Sequence, residues 1–135
     1  MSYEDKLELF RTLFEQQSNV RKERLYSNLD PDSVEVETGY KFDKVYINNG
    51  TQRMGRYMVE SRTGIIWGIK SWTQVNYRRQ YGTLDTIDQY DWSDFYGRPI
   101  PGTEAELADF ERESEIKAGH KKRGRKPKIA SLSSN

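Results

Sequence analysis

Apolar and polar positions alternate along Tyr40–Asn48, read as YKFDKVYIN. Tyr40, Phe42 and Ile47 stand against Lys41, Asp43 and Lys44, and Val45-Tyr46-Ile47 is a β-branched and aromatic run. Side chains of a strand point alternately to opposite faces, so this pattern predicts a strand. Asn48-Asn49-Gly50 follows, with residues that tolerate positive φ, and predicts a turn. A second strand is expected over Gln52–Glu60, and a second turn at Ser61-Arg62-Thr63-Gly64 with Gly64 in the left-handed position. A third strand is expected over Ile65–Trp72, and three strands joined by two such turns make an antiparallel meander. Upstream, Val34-Glu35-Val36-Glu37 alternates over a shorter span. It predicts an edge strand with both glutamates toward water.

Two segments carry helical patterns. Leu7, Phe10, Leu13 and Phe14 form a stripe at helical spacing, and Ser2 with Asp5 three residues later fits an N-cap. The helix is expected over about residues 3–17, or onward through Val20 to Tyr26. Its stripe either packs on the sheet or offers Phe10 and Phe14 to a second copy of the chain. Asp30-Pro31-Asp32-Ser33 breaks the pattern, because the residue before proline is pushed out of the helical region. The segment from Gln74 to Ile87 admits a helix or a loop. Gly97-Arg98-Pro99-Ile100-Pro101-Gly102 is a linker by composition. Thr103 and Glu106 then form a capping box, predicting an acidic helix over 103–118 that Leu107 and Phe110 tack to the body and Gly119 ends. The fold class is therefore α+β: a small antiparallel meander packed by an N-terminal amphipathic helix, with an acidic C-terminal helix. Residues 1–118 read as one domain and residues 119–135 as a disordered basic tail.

Composition narrows the class. A chain of 135 residues with 32% charged positions builds one modest core. There is no cysteine, so neither a disulfide framework nor thiolate chemistry is available. No apolar run approaches the ~20 residues of a membrane span, so no membrane partner is expected. The start, Ser2-Tyr3-Glu4-Asp5, lacks the basic and apolar regions of a secretory leader, which points to an intracellular protein. Asn49-Gly50-Thr51 fits a glycosylation sequon but reads as a turn.

Charge is unevenly spread. The formal net charge is +1, yet residues 40–81 carry eight basic residues against two acids. Residues 1–38 and 82–116 are acidic, and seven basic residues crowd the end from Lys117 to Lys128. Such blocks pair internally or meet a partner of opposite sign. The central stretch also holds eight of the chain's aromatic residues. A basic sheet with exposed rings can stack bases and hold phosphates, whereas the same rings turned inward only build a core. Within it, Arg78 and Arg79 sit between Tyr77 and Tyr81, a group suited to gripping a phosphate or stacking on a base, or else to bridging the acidic segment that follows.

Asp85, Asp88, Asp91 and Asp94 recur every third residue. They lack the alternate ligands, central glycine and closing glutamate of a calcium loop. Turn formation suits them better, or masking of the basic sheet until nucleic acid displaces them. The single histidine, His120, has no neighbour to orient it as a base or ligand. No motif has catalytic spacing, and no catalytic residue, metal ligand or cofactor is assigned; a metal-dependent nuclease would draw on Asp85, Asp88, Asp91 or Glu60.

The end of the chain, from Gly119, reads GHKKRGRKPKIASLSSN. Its core, Arg123-Gly124-Arg125-Lys126-Pro127-Lys128, resembles the AT-hook, a short motif whose Arg-Gly-Arg-Pro core lies extended in the minor groove of A·T-rich DNA. The resemblance implies that Arg123 and Arg125 enter the narrow, negative groove while Gly124 lies on its floor. It also implies phosphate contacts from Lys121, Lys122, Lys126 and Lys128, and an extended chain at Pro127. This sequence carries Lys126 between Arg125 and Pro127, where the family has proline directly after arginine. The expectation is a non-enzymatic DNA-binding accessory protein that uses this tail and the basic aromatic sheet. The alternative is a structural or host-factor-inhibiting interaction protein, since the many tyrosines and charge blocks have the character of a small phage or viral protein. That alternative binds a protein partner or a second copy through the helix and acidic surfaces.

Overall fold

Ser2 caps the first helix as expected: its hydroxyl accepts the Asp5 backbone N–H at 3.2 Å. The computed structural model of the chain describes residues 1–25 and 30–124, with side-chain surroundings as far as Glu115. The element order is α1 (Tyr3–Leu25), β1 (Ser33–Glu37), β2 (Phe42–Asn48), β3 (Arg53–Glu60), β4 (Ile65–Ser71) and β5 (Gln74–Thr83). A short 3-10 turn at Ile87–Gln89 follows, then β6 (Tyr90–Asp91), β7 (Arg98–Pro99) and α2 (Glu104–Gly124). Strands β1 to β5 form one antiparallel sheet in sequence order, and β6 and β7 pair separately. The fold is α+β, built on a meander.

Both expected turns are made by the residues that permit them. Gly50 and Gly64 have φ of 94° and 77°, and the Asn49 side-chain oxygen accepts the backbone N–H groups of Thr51 and Gln52. The segment left open between helix and loop, Gln74 onward, is a fifth strand. The first helix runs to Leu25, the longer of the two expected ends. The last runs to Gly124, past Gly119. Residues 125–135 lie outside the described part of the chain.

The core is aromatic and lies between α1 and one face of the sheet. Phe10 and Phe14 are wholly buried, so they serve the chain's own core and offer no anchor to a second copy. Tyr57 of β3 takes the rings of Phe10, Phe14, Tyr81 and Trp92 around it, with centroids 5.7, 5.4, 5.2 and 5.3 Å away, all edge to face. Val34, Val45, Ile47, Val59 and Ile66 complete the layer. Trp92 is fully buried with both donors used: its backbone N–H reaches Gln17 Oε1 at 2.7 Å and its indole N–H reaches the Ile87 carbonyl at 2.9 Å. The Gly97 N–H donates to the Tyr57 hydroxyl at 2.8 Å, and a Cβ on Gly97 would sit 2.5 Å from the Trp92 ring.

The capping box at Thr103 forms, with the Glu106 N–H on the threonine hydroxyl at 3.3 Å. Leu107 and Phe110 do not tack α2 to the body, however. They are 61% and 69% exposed. The helix is held instead by buried Ala105, whose N–H meets Gln89 Oε1, and by Arg112, which donates to the Gln80 carbonyl at 2.7 Å. No helix among the described residues is long and apolar enough to cross a membrane.

Removing a ring from the central cluster leaves a cavity that a rigid sheet fills poorly. Phe10→Ala is expected to lower the unfolding free energy by about 3–5 kcal/mol in equilibrium denaturation. Leu9→Ala, on the exposed side of the same helix, should stay within about 0.5 kcal/mol of the parent.

Candidate nucleic-acid interface

The register of the meander sorts side chains onto two faces. Val34 opposite Ile47, Val36 opposite Val45 and Val59 opposite Asp43 lie toward α1. The intervening pairs, Glu35 with Tyr46, Glu37 with Lys44, Lys44 with Met58 and Met58 with Trp67, lie on the outer face. Among the described residues, helix packing falls on the inner face and the β5 side, so the outer face is covered only by its own side chains.

Those side chains form two aromatic groups. In the first, Tyr77 lies 5.1 Å from Trp67 and 6.2 Å from Phe42, centroid to centroid, making a row across three strands. Tyr77 is 62% exposed, and Phe42 and Trp67 are half-buried. The Trp67 indole N–H is anchored on Glu60 Oε1 at 3.2 Å, which fixes the ring's orientation. In the second, Trp72 folds back from the β4–β5 hairpin to sit 5.4 Å from Tyr46. Lys44 Nζ lies 3.8 Å from the Trp72 centroid and Arg53 at 5.1 Å, both cation–π contacts. Lys44 is buried and also reaches Glu37 at 3.3 Å. Arg53 is exposed, so its charge remains open to solvent.

The four residues singled out on β5 separate. Tyr81 is buried against Tyr57 and Trp92, while Tyr77 faces the opposite side of the sheet. Two residues four apart on a regular strand share a face. Here the register against β4 jumps, with Trp67 opposite Gln80 but Gly68 opposite Asn76. The residues between, Tyr77-Arg78-Arg79, bulge out of the ladder, and a bulge re-aims side chains in this way. Arg79 lies with its Cβ side over Gly68, and the missing Cβ there makes room: one built on Gly68 would come within 2.8 Å of it. Arg78 and Arg79 are both exposed. Among the described residues, neither lies within ion-pair distance of a carboxylate, so they do not bridge to the acidic segment.

The aspartates of that segment are used elsewhere. Asp85 pairs with Lys6 at 2.7 Å, and Asp94 with Arg21 and Arg98. Asp91 accepts the Ser93 N–H and hydroxyl, bonds that hold its carboxyl below the usual range. Asp85, Asp91 and Asp94 thus build turns and tie α1 to the loop, with none of these contacts on the outer face. No cluster of three potential metal ligands occurs among the described residues. Of the basic run, Lys121, Lys122, Arg123 and Gly124 fall at the end of α2, where side chains are not described. Arg125, Lys126, Pro127 and Lys128 lie outside the described residues.

Phe42, Trp67 and Trp72 are members of this face that were not singled out as site residues in the sequence. Their neighbourhood depends on cross-strand register, which periodicity along one strand does not contain. No protein-family model, curated protein or solved structure matches the chain.

Tyr81 also carries a pH consequence. Its hydroxyl is buried without a partner among the described residues, and burial pushes its pKa up to about 12. The unfolded chain ionises this group near its ordinary value of about 10, so the stability it contributes is intact below that pH and is lost as pH rises toward 12. Tyr81→Phe is expected to be as stable as the parent or more so at neutral pH, since it removes an unpaired buried hydroxyl. Denaturation at stepped pH should show a shallower loss above pH ~10 in the variant.

Proposed function

We propose that this chain is a non-enzymatic nucleic-acid-binding protein that holds single-stranded segments against the outer face of its sheet. The observation that carries the reading is the row Phe42, Tyr77 and Trp67 on the outer face, with the exposed Arg78 next to Tyr77 in the chain and the exposed Arg53 over the neighbouring Trp72 ring. Stacking on a ring is indifferent to base identity, because every base offers a π-face, and nearby cations then track the phosphates. Glu35, Glu37 and Glu60 share the face, so affinity rests on stacking more than on net field. The basic run Lys121–Lys128 adds sequence-independent affinity by counterion release, and its AT-hook resemblance favours A·T-rich duplex as a second ligand.

The full chain should bind a single-stranded oligonucleotide, and Trp67→Ala or Tyr77→Ala should each weaken it roughly fivefold or more, given ~1–3 kcal/mol per stacked base. Arg53→Ala with Arg78→Ala should flatten the slope of log affinity against log salt by about 0.7 for each phosphate that these arginines neutralise. Unchanged affinity in the ring variants would exclude the face. Arg123→Ala with Arg125→Ala should weaken A·T-rich duplex binding and leave the ring dependence of single-strand binding intact.

A second reading, association through α2, is favoured by Leu107 and Phe110, which are neighbours on the helix and both exposed. It predicts a dimer in sedimentation that persists at high salt, since apolar burial is not screened, and that Phe110→Ser dissociates. A monomeric parent chain counts against it.

A further inference from the structure

On the inner side of the sheet, where the end of α1 passes over β3, a cleft of about 300 Å³ opens between Arg21, Lys22, Met54, Arg56 and Phe95. This is at the lower end of the size range of small-ligand sites. Its cations are not equally satisfied. Lys22 pairs with Asp32 at 2.8 Å, and Arg21 meets Asp94 at 3.6 Å. Arg56 is half-buried and, among the described residues, has no carboxylate within ion-pair distance. Its guanidinium stacks 4.3 Å from the Phe95 ring and donates through Nη1 to the Phe95 carbonyl. Desolvation lowers its pKa, and the fields of Asp32 and Asp94, which also line the cleft but are engaged by Lys22 and Arg21, offset this only in part. A partly buried guanidinium held flat, with donors left over, is an arrangement that grips a carboxylate or phosphate through paired hydrogen bonds. Ile47 and Met54 supply an apolar wall beside it, and Phe95 a ring that is itself largely exposed.

We infer that this cleft binds a small anion with an apolar or aromatic body, its carboxylate or phosphate seated on Arg56 and its body against Met54 and Phe95. The site is separate from the outer face, so it stands or falls independently of nucleic-acid binding.

The test is titration of the full chain with phenyl phosphate, benzoate, inorganic phosphate and the neutral analogue benzyl alcohol, followed by the Met54 methyl resonance. Phenyl phosphate or benzoate should shift it saturably, inorganic phosphate more weakly and benzyl alcohol not at all. A stronger response to phenyl phosphate assigns the anion as phosphate, and a stronger response to benzoate assigns it as carboxylate. Arg56→Gln should weaken the binding roughly tenfold or more, as expected for a charge-assisted hydrogen-bonded pair. Met54→Trp, which fills the cleft from a partly exposed position without touching the cation, should also abolish it. No saturable shift with either anion, an equal response to benzyl alcohol, or unchanged affinity in folded Arg56→Gln would overturn the assignment. If Arg56→Gln does not fold, the charged and neutral probes on the parent chain decide the matter.

Discussion

Tyr57 is surrounded by rings from three other parts of the chain, and the rest of the fold is arranged so that this can happen. Phe10 and Phe14 arrive on α1, Tyr81 on the far strand of the sheet, and Trp92 on the loop beyond it. A chain of this size needs one face of its sheet buried to be stable, and one helix is wide enough to bury only one. Much of the aromatic mass therefore gathers between α1 and the inner face. A second set of rings, Phe42, Tyr46, Trp67, Trp72 and Tyr77, stays on the outer face, where the rings rest on one another and the charged heads of Lys44 and Arg53 lie over Trp72. The bare face follows from the way the core is built.

The meander was legible because its signals are local. Gly50 and Gly64 stand where positive φ is needed, and Val34-Glu35-Val36-Glu37 alternates within a few residues. Even there, Glu35 is not simply solvated; its carboxylate collects the Tyr46 hydroxyl and the Asn48 amide across the strand pair. The fifth strand was illegible for the opposite reason. Tyr77-Arg78-Arg79 interrupts the ladder, so the period-two pattern that identifies a strand is broken in its middle. The burial of Trp92 had no local sign, because nothing in its near sequence announces that Gln17, distant in the chain, will accept its backbone N–H.

The candidate site divides along the same line. Tyr77, Arg78 and Arg79 are exposed, while Tyr81 crosses to the core through the bulge. Phe42 and Trp67 join Tyr77 only once three strands are placed in register. Leu107 and Phe110 misled in the other direction. An apolar pair at helical spacing predicts contact with the body, yet Ala105 and Arg112 hold α2 there and leave the larger side chains outside.

The three tryptophans provide an internal comparison for the central claim, that the outer face receives nucleic acid. Trp67 and Trp72 lie on that face and Trp92 is sealed in the core. The most direct measurement is the set of three indole N–H resonances of the full chain during titration with a single-stranded oligonucleotide. The account predicts that the Trp67 and Trp72 signals move together with saturating dependence while Trp92 stays in place. Binding that leaves Trp67 and Trp72 unmoved would contradict it, and would place any nucleic-acid contact elsewhere on the chain.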